Sequence, residues 1–279
     1  MRFALAMAAF AALAAAPQLE IVQPALHQYE GGPPLAGTFE FFPGDTVFLT
    51  FKVGGFQLVE KANEESLLLT HEIEAFDPQG LRLREKATGK AASVVTPEDK
   101  KAKWMPLIEY NVLVPPAAPP GDYRLALAVK DANSGAAVER ELTFRVRGRF
   151  VEPSDTLTVR NFRFFRGEVD TRALEVPAYR PGDTVWARFD ITGYKLGENN
   201  RFSIDYGLAV LSESGKELYR QEVAAEEERE SFYPERYTQG SLSLSLTPDL
   251  AKSAYTILLT VRDRLGAQTY ETRQTFHVD

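Results

Sequence analysis

An internal repeat constrains this chain more than any other feature. Phe42-Pro43-Gly44-Asp45-Thr46-Val47 recurs as Arg180-Pro181-Gly182-Asp183-Thr184-Val185, 138 residues later (181 − 43). The match runs without a gap through Phe51/Phe189, Gly55/Gly193 and Leu58/Leu196, and eight of the sixteen positions from 43 to 58 are identical. Ordinary residue frequencies give about one identity by chance. A second block, Tyr123 to Asp131, matches Tyr255 to Asp263 at an offset of 132 (255 − 123), and continues through Phe144/Phe276 and Val146/Val278. The offset falls by six, so the first copy carries six extra residues between the blocks. Insertion is cheapest in a loop, which is where they are expected. A repeat of this length is one supersecondary unit or one domain used twice.

Each copy reads as strands. Val47, Leu49, Phe51 and Val53 alternate with polar or smaller neighbours, as do Leu67, Leu69, His71, Ile73 and Ala75. Their counterparts in the second copy are Phe202, Ile204, Tyr206, Leu208 and Val210. Leu242, Leu244 and Leu246 share one face, and so do Leu125, Leu127 and Val129. A period of two marks half-buried strands. Turn signals separate the runs: Pro43-Gly44-Asp45, Asp77-Pro78-Gln79-Gly80, Ser134-Gly135, Ser214-Gly215 and Leu265-Gly266. About seven short strands per copy, with no sustained helical stripe, predict an all-β chain of two tandem immunoglobulin-like antiparallel β-sandwich domains. The expected boundaries are 17–147 for the first domain, 148–155 for a linker and 156–279 for the second. Each copy is large enough to bury a core without disulfides.

Tyr179-Arg180-Pro181-Gly182-Asp183-Thr184-Val185 resembles the Tyr-x-Pro-Gly-x-x-Val opening of macroglobulin-type domains, with Phe41 replacing the tyrosine in the first copy. The closing blocks, Tyr-x-Leu/Ile-x-Leu-x-Val-x-Asp and then Phe-x-Val, are similar to the final hairpin of many bacterial immunoglobulin-like modules. The resemblance implies a sandwich fold in an exported bacterial protein. It does not extend to the thioester of macroglobulin protease traps, since the chain has no cysteine.

Residues 1–16 differ from the rest. Arg2 precedes an uncharged apolar run from Phe3 to Ala16, too short for a membrane span and ending in small residues. This is the pattern of a secretory signal peptide, with cleavage expected near Ala14 or Ala15. The expected location is exported, in the periplasm or at the cell surface, with no membrane insertion of the mature chain. The absence of cysteine excludes disulfides and thiolate chemistry. The formal net charge of −7 argues against a nucleic-acid partner, which requires a basic face.

The search for a catalytic centre returns little. His71 sits on the inward side of its strand and reads as a core histidine with a satisfied hydrogen bond. His277 is expected to face solvent, and His27 is isolated. No pair has metal-ligand spacing, and neither a nucleophile elbow nor a phosphate-binding glycine loop occurs. Asp45, Asp183, Asp131 and Asp263 recur at matched places. They are expected to cap turns, with inter-domain calcium binding as the alternative. No cofactor is expected.

Two equivalent stretches differ sharply in charge. Arg84 to Trp104 holds six basic and three acidic residues, while Glu222 to Arg236 holds six acidic and two basic ones. Both read as loops, Glu222 to Glu230 having room for one helical turn. Trp104 flanks one; Phe232, Tyr233 and Tyr237 flank the other. Aromatics with arginine are common interface anchors. The candidate partner-binding residues are Lys100, Lys101, Lys103 and Trp104 in the first copy. In the second they are Glu226, Glu227, Glu228, Phe232, Tyr233, Arg236 and Tyr237. The expected function is a non-enzymatic extracytoplasmic interaction or structural module, acting on a protein partner or self-associating head to tail. The alternatives are a carbohydrate- or ligand-binding module using the loop aromatics, and a hydrolase with loop carboxylates.

Overall fold

The computed structural model describes residues 18–61 and 63–279, so the expected signal peptide lies outside the described residues. The chain forms two tandem β-sandwiches. In the first, β1 (Glu20–His27), β3 (Thr46–Gly54) and β7 (Leu107–Leu113) form one sheet in the order β1-β3-β7. The facing sheet runs β2 (Glu40–Phe41), β9 (Ala137–Val146), β8 (Gly121–Asp131), β5 (Glu64–Phe76), β4 (Val59–Lys61). β6 (Ala87–Val94) pairs with the other side of β5 and forms that sheet's outer edge, since Leu69 to Ile73 face β6 on one side and β8 on the other. The second sandwich repeats the plan. β10 (Thr158–Phe165), β12 (Thr184–Thr192) and β15 (Tyr237–Ser245) form one sheet. The other runs β11 (Ala178–Tyr179), β17 (Gln268–Val278), β16 (Ser253–Asp263), β13 (Phe202–Leu211), β14 (Glu217–Arg229).

The alternating residues do what their period requires. Val47, Leu49, Phe51 and Val53 of β3 are all fully buried, as are Leu125 and Leu127 of β8 and Ile257, Leu259 and Val261 of β16. Each sandwich closes over its own cluster of these side chains. Phe41 and Tyr179, at matched places of the repeat, are buried against Phe144 and Phe276 at the sandwich ends. The repeat reaches further back than the sequence blocks. β1 and β10 carry the same bulge, at Gln23 and Asn161, both with positive φ (51° and 54°) and 138 residues apart.

The six extra residues of the first copy are divided. β13 aligns with β5 at an offset of 135, because Ile204 pairs with Asp263 where Leu69 pairs with Asp131. Three residues therefore enter before β5, around the short strand β4 that the second sandwich lacks, and three after it. The two charged stretches are also not simply loops. The first contains β6 and a single helical turn, α1 (Pro97–Lys101), started by a capping box between Thr96 and Asp99 with proline at the first position. The second is mostly strand: Glu222 to Arg229 belong to β14, and no helical turn forms there. Side-chain type explains why the sequence hides these strands. β6 alternates in burial but turns only Ala87, Gly89, Ala91 and Ser93 inward, and β14 is exposed from Glu217 to Val223, so neither shows an apolar period. Among the described residues, no helix is long and apolar enough to cross a membrane.

Candidate functional site at the junction of the sandwiches

The two sandwiches meet across a segment assembled from three places: the turn after β5, the linker, and the chain leading into β15. The last of these is fixed from several directions. Asn200 donates its side-chain amide to the carbonyls of Ser231 (3.1 Å) and Phe232 (2.7 Å). The Ser231 hydroxyl donates to the Tyr233 carbonyl at 2.6 Å, and the Tyr194 hydroxyl donates to the Glu235 carbonyl at 2.7 Å. Held this way, the Tyr233 side chain leaves its own sandwich and enters the core cluster of the first. It is buried, and its hydroxyl donates to Asp77 Oδ2 at 2.7 Å. Asp77 is held in turn: its Oδ1 accepts the backbone N–H of Gln79 (2.9 Å) and Leu81 (2.8 Å), an Asx turn closing the Asp77-Pro78-Gln79-Gly80 bend. Burial, reinforced by the bond to Asp77, raises the Tyr233 pKa far above its ordinary value.

A second clasp holds the linker to the second sandwich. Arg149 of the linker reaches Asp190 Oδ1 on β12 at 2.5 Å, and Asn161, in the bulge of β10, donates to Asp190 Oδ2 at 2.8 Å. The Asp190 side chain is fully buried, so its charge requires these partners. Val151 is buried beside the clasp while Phe150 remains exposed. Between these contacts lies a mostly apolar cleft of about 190 Å³, whose lining includes Phe150, Val151, Tyr233, Pro234, Arg236 and Tyr237.

The structure therefore separates the sequence-predicted residues. Tyr233, Arg236 and Tyr237 come together at the junction, with Arg236 exposed and Tyr237 half-buried. Phe232 points elsewhere, half exposed beside Asn199 and Asn200. The three aromatics form no continuous exposed row, because Tyr233 is consumed by the first sandwich. Glu226, Glu227 and Glu228 lie on β14 and are paired within their own sandwich. Glu226 pairs with Arg264 (2.8 Å), and Glu228 with Arg201 (2.5 Å). Glu227 pairs with Arg229 and accepts the Thr238 hydroxyl at 2.7 Å. Arg264 also joins Arg262 around buried Asp205. Glu226 and Glu228 are thus neutralised by arginines outside the counted window, and Glu227 by Arg229 within it. In the first sandwich Lys100 pairs with Glu65. Lys101, Lys103 and Trp104 are exposed, and no ion pair among the described residues joins these lysines to Glu226–Glu228.

The repeated aspartates are occupied by hydrogen bonds. Asp131 accepts the N–H of Gln57 (2.8 Å) and Asn133 (2.9 Å) and the Ser134 hydroxyl (2.7 Å). Asp263 accepts the N–H of Lys195, Leu265 and Gly266. Asp45 and Asp183 accept the N–H of Phe42 and Arg180. These carboxylates cap turns, and most of the hydrogen bonds they accept come from backbone N–H groups. Among the described residues no group of three or more His, Cys, Asp or Glu side chains is placed to hold a metal ion. His71 faces inward, but its Nδ1 has no partner, which corrects the expectation of a satisfied core histidine. Burial lowers its pKa, favouring the neutral ring. His27 is buried with Nε2 on Thr50 Oγ1 at 2.9 Å, and His277 is exposed. The junction clasps carried little sequence signal, because Asp77, Asp190 and Arg149 stand in unremarkable turns and strands.

No family model and no curated protein matches the chain. Among solved structures it is similar to the C-terminal domain of the Streptococcus pyogenes antigen I/II-family protein AspA, at 11% identity and a TM-score of 0.29, over 94% of this chain and 99% of that one. The C-terminal domain of the Streptococcus agalactiae AgI/II polypeptide BspA matches at 11% identity and a TM-score of 0.29, over 91% of this chain and 98% of that one. Red sea bream transglutaminase matches at 12% identity and a TM-score of 0.25, over 94% of this chain and 31% of that one. Likenesses this distant place the chain in no family.

Proposed function

We propose that the chain is a non-enzymatic, extracytoplasmic module that holds two sandwiches in one fixed arrangement and presents their surfaces to a protein partner. The observation that carries this reading is the Tyr233 side chain, which leaves the second sandwich and completes the core of the first. Two modules built to move independently keep a polar, shallow junction. Here a buried aromatic and its hydrogen bond to Asp77 cross between them, and the Arg149–Asp190 pair fixes the linker to the second sandwich. Such a junction suits a spacer or a rigid display unit. Exposed Lys101, Lys103, Trp104 and Arg236 are the partner-facing residues in this reading. Immobilised protein exposed to envelope extract from its own source tests it. Enrichment of one protein at low salt and its loss at high salt is the expected result; no enriched protein overturns the binding half of the proposal. The junction cleft favours one second reading, a small ligand bound between Phe150, Arg236 and Tyr237. Retention of a ligand from a small-molecule or oligosaccharide panel, lost in Arg236→Ala, separates that reading from the first.

A further inference from the structure

The two sandwiches differ at one place where the repeat is otherwise kept. β1 and β10 align at an offset of 138 through their bulges, because Ala25 pairs with Thr50 where Arg163 pairs with Arg188. In the second sandwich Phe162 follows the bulge. Its ring stacks on Phe189 at 5.5 Å and meets Phe164 edge-on at 5.2 Å, and Phe164 reaches Phe276 on β17 at 6.3 Å. The first sandwich has Pro24 in place of Phe162 and Leu26 in place of Phe164. Phe39, standing where the second copy has Pro177, turns its ring onto Phe41 at 4.9 Å and takes up part of that space. An apolar groove of about 250 Å³ remains between β1 and β9, and its lining includes Leu26, Leu35, Phe39, Phe41, Leu142 and Phe144. An apolar cavity of about 150 Å³ is enough to hold benzene, so one ring fits.

Two further replacements suit the groove to an apolar guest. Ala25, which also lines it, stands where the second copy has Arg163, so no long side chain covers the rim. Leu142 stands where the second copy has Gln274, so the wall is apolar. Loss of a ring alone would need neither change. Phe39, Phe41 and Phe144 already pack edge to face, at 4.9 and 5.6 Å, an arrangement that extends naturally to one more ring. Beside the groove the edge of β9 is open. Among the described residues β2 pairs with it only at Arg145 and Val146, so unpaired N–H and C=O groups between Ala137 and Phe144 face an incoming chain.

We propose that this groove binds a phenylalanine side chain carried on an extended segment of a partner protein. The ring takes the place that Phe162 fills in the second sandwich, and the segment lies along the open edge of β9. The site deepens the protein-partner reading above and rests on it. Titration of the full chain with a capped Thr-Phe-Thr peptide, followed by NMR through the leucine methyl groups, tests it. Saturable shifts are expected at Leu26, Leu35 and Leu142, with the Thr-Leu-Thr peptide binding about fivefold or more weakly for want of ring contacts. Ala25→Arg restores the rim of the second copy and Pro24→Phe restores its ring, on a bulge whose φ at Gln23 (51°) already matches that at Asn161 (54°). Both variants are expected to abolish the shifts, and Pro24→Phe to raise the melting temperature by filling the groove. An unshifted wild type, equal binding of the leucine peptide, or full binding by Ala25→Arg overturns the proposal. Toluene that binds where the phenylalanine peptide does not also overturns it, since the groove then takes a free ring. None of these outcomes depends on the envelope-extract experiment, which decides the broader reading separately.

Discussion

Tyr233 and Asp77 are separated by 156 residues and joined by 2.7 Å. Their bond is shielded from water, so each partner is costly to leave alone. Tyr233→Phe keeps the ring but strands a buried carboxylate oxygen; it is expected to cost about 1–3 kcal/mol. Tyr233→Ala also empties a site in the first core and is expected to cost about 3–5 kcal/mol. Urea denaturation of both variants checks the order: equal losses would mean that the hydroxyl, not the ring, holds the junction. The sequence shows Tyr233 as an aromatic beside an acidic run, but not its destination. Nothing local links it to Asp77, whose turn reads as one among several. Glu226 to Glu228 mislead for a related reason. A run of acids reads as free charge until the fold brings Arg264 and Arg201 beside it from the ends of other strands.

At the scale of elements the repeat was legible where burial alternates. β3, β8, β12 and β16 each bury one face, and their period of two survives in the sequence. β6 and β14 read as loops in the sequence, because strands of small or charged residues lack that contrast. Matched devices tie the elements together. The hydroxyls of Tyr123 and Tyr255 each donate to the carbonyl four residues upstream, of Pro119 at 2.6 Å and Ala251 at 2.7 Å. This is the tyrosine corner of immunoglobulin-like sandwiches, placed just after the start of the strand. Gly55 and Gly193 end β3 and β12 with φ of +71° and +77°, and a Cβ on either would lie within 2.0 Å of a backbone carbonyl, Gln18 or Thr156. Gly55→Ala and Gly193→Ala therefore combine left-handed strain with a backbone clash, and each is expected to cost at least about 1–3 kcal/mol. Thermal melts of the two variants check this; a melting point unchanged in either would show that the turn relaxes freely. Asp131 works beside the first of these turns. Burial opposes its charge, but the N–H of Gln57, the Ser134 hydroxyl and the N–H groups of Asn133 and Ser134 outweigh it and lower its pKa. Its stabilising contribution is therefore present above the ordinary value of 3.8 and is lost as pH falls through the lower folded value. Asp131→Asn is expected to flatten the acid limb of stability against pH, read from denaturant midpoints.

The whole molecule responds to alkali through its phenols. Burial is the largest cause raising the pKa of Tyr110, Tyr123, Tyr179, Tyr194, Tyr206, Tyr233 and Tyr237 above 10, to about 12 for Tyr179. A raised folded pKa means that the native state holds its proton more tightly. Stability is then complete below the ordinary value of 10 and falls as pH rises beyond it. Phenolate absorbance is expected to rise together with loss of sheet signal; phenols that ionise well before unfolding would show that these sites are open to solvent. The tyrosines span both cores, and Tyr233, carried by the second sandwich, is part of the core of the first. That side chain sets an order in time. Synthesis runs from the N-terminus, and domains usually fold as units as they emerge. The first sandwich has all its own strands by Val146, yet one side chain of its core arrives only with Tyr233, after five strands of the second sandwich have been made. The N-terminal half thus waits, nearly folded and unsealed at one end, for the half that follows.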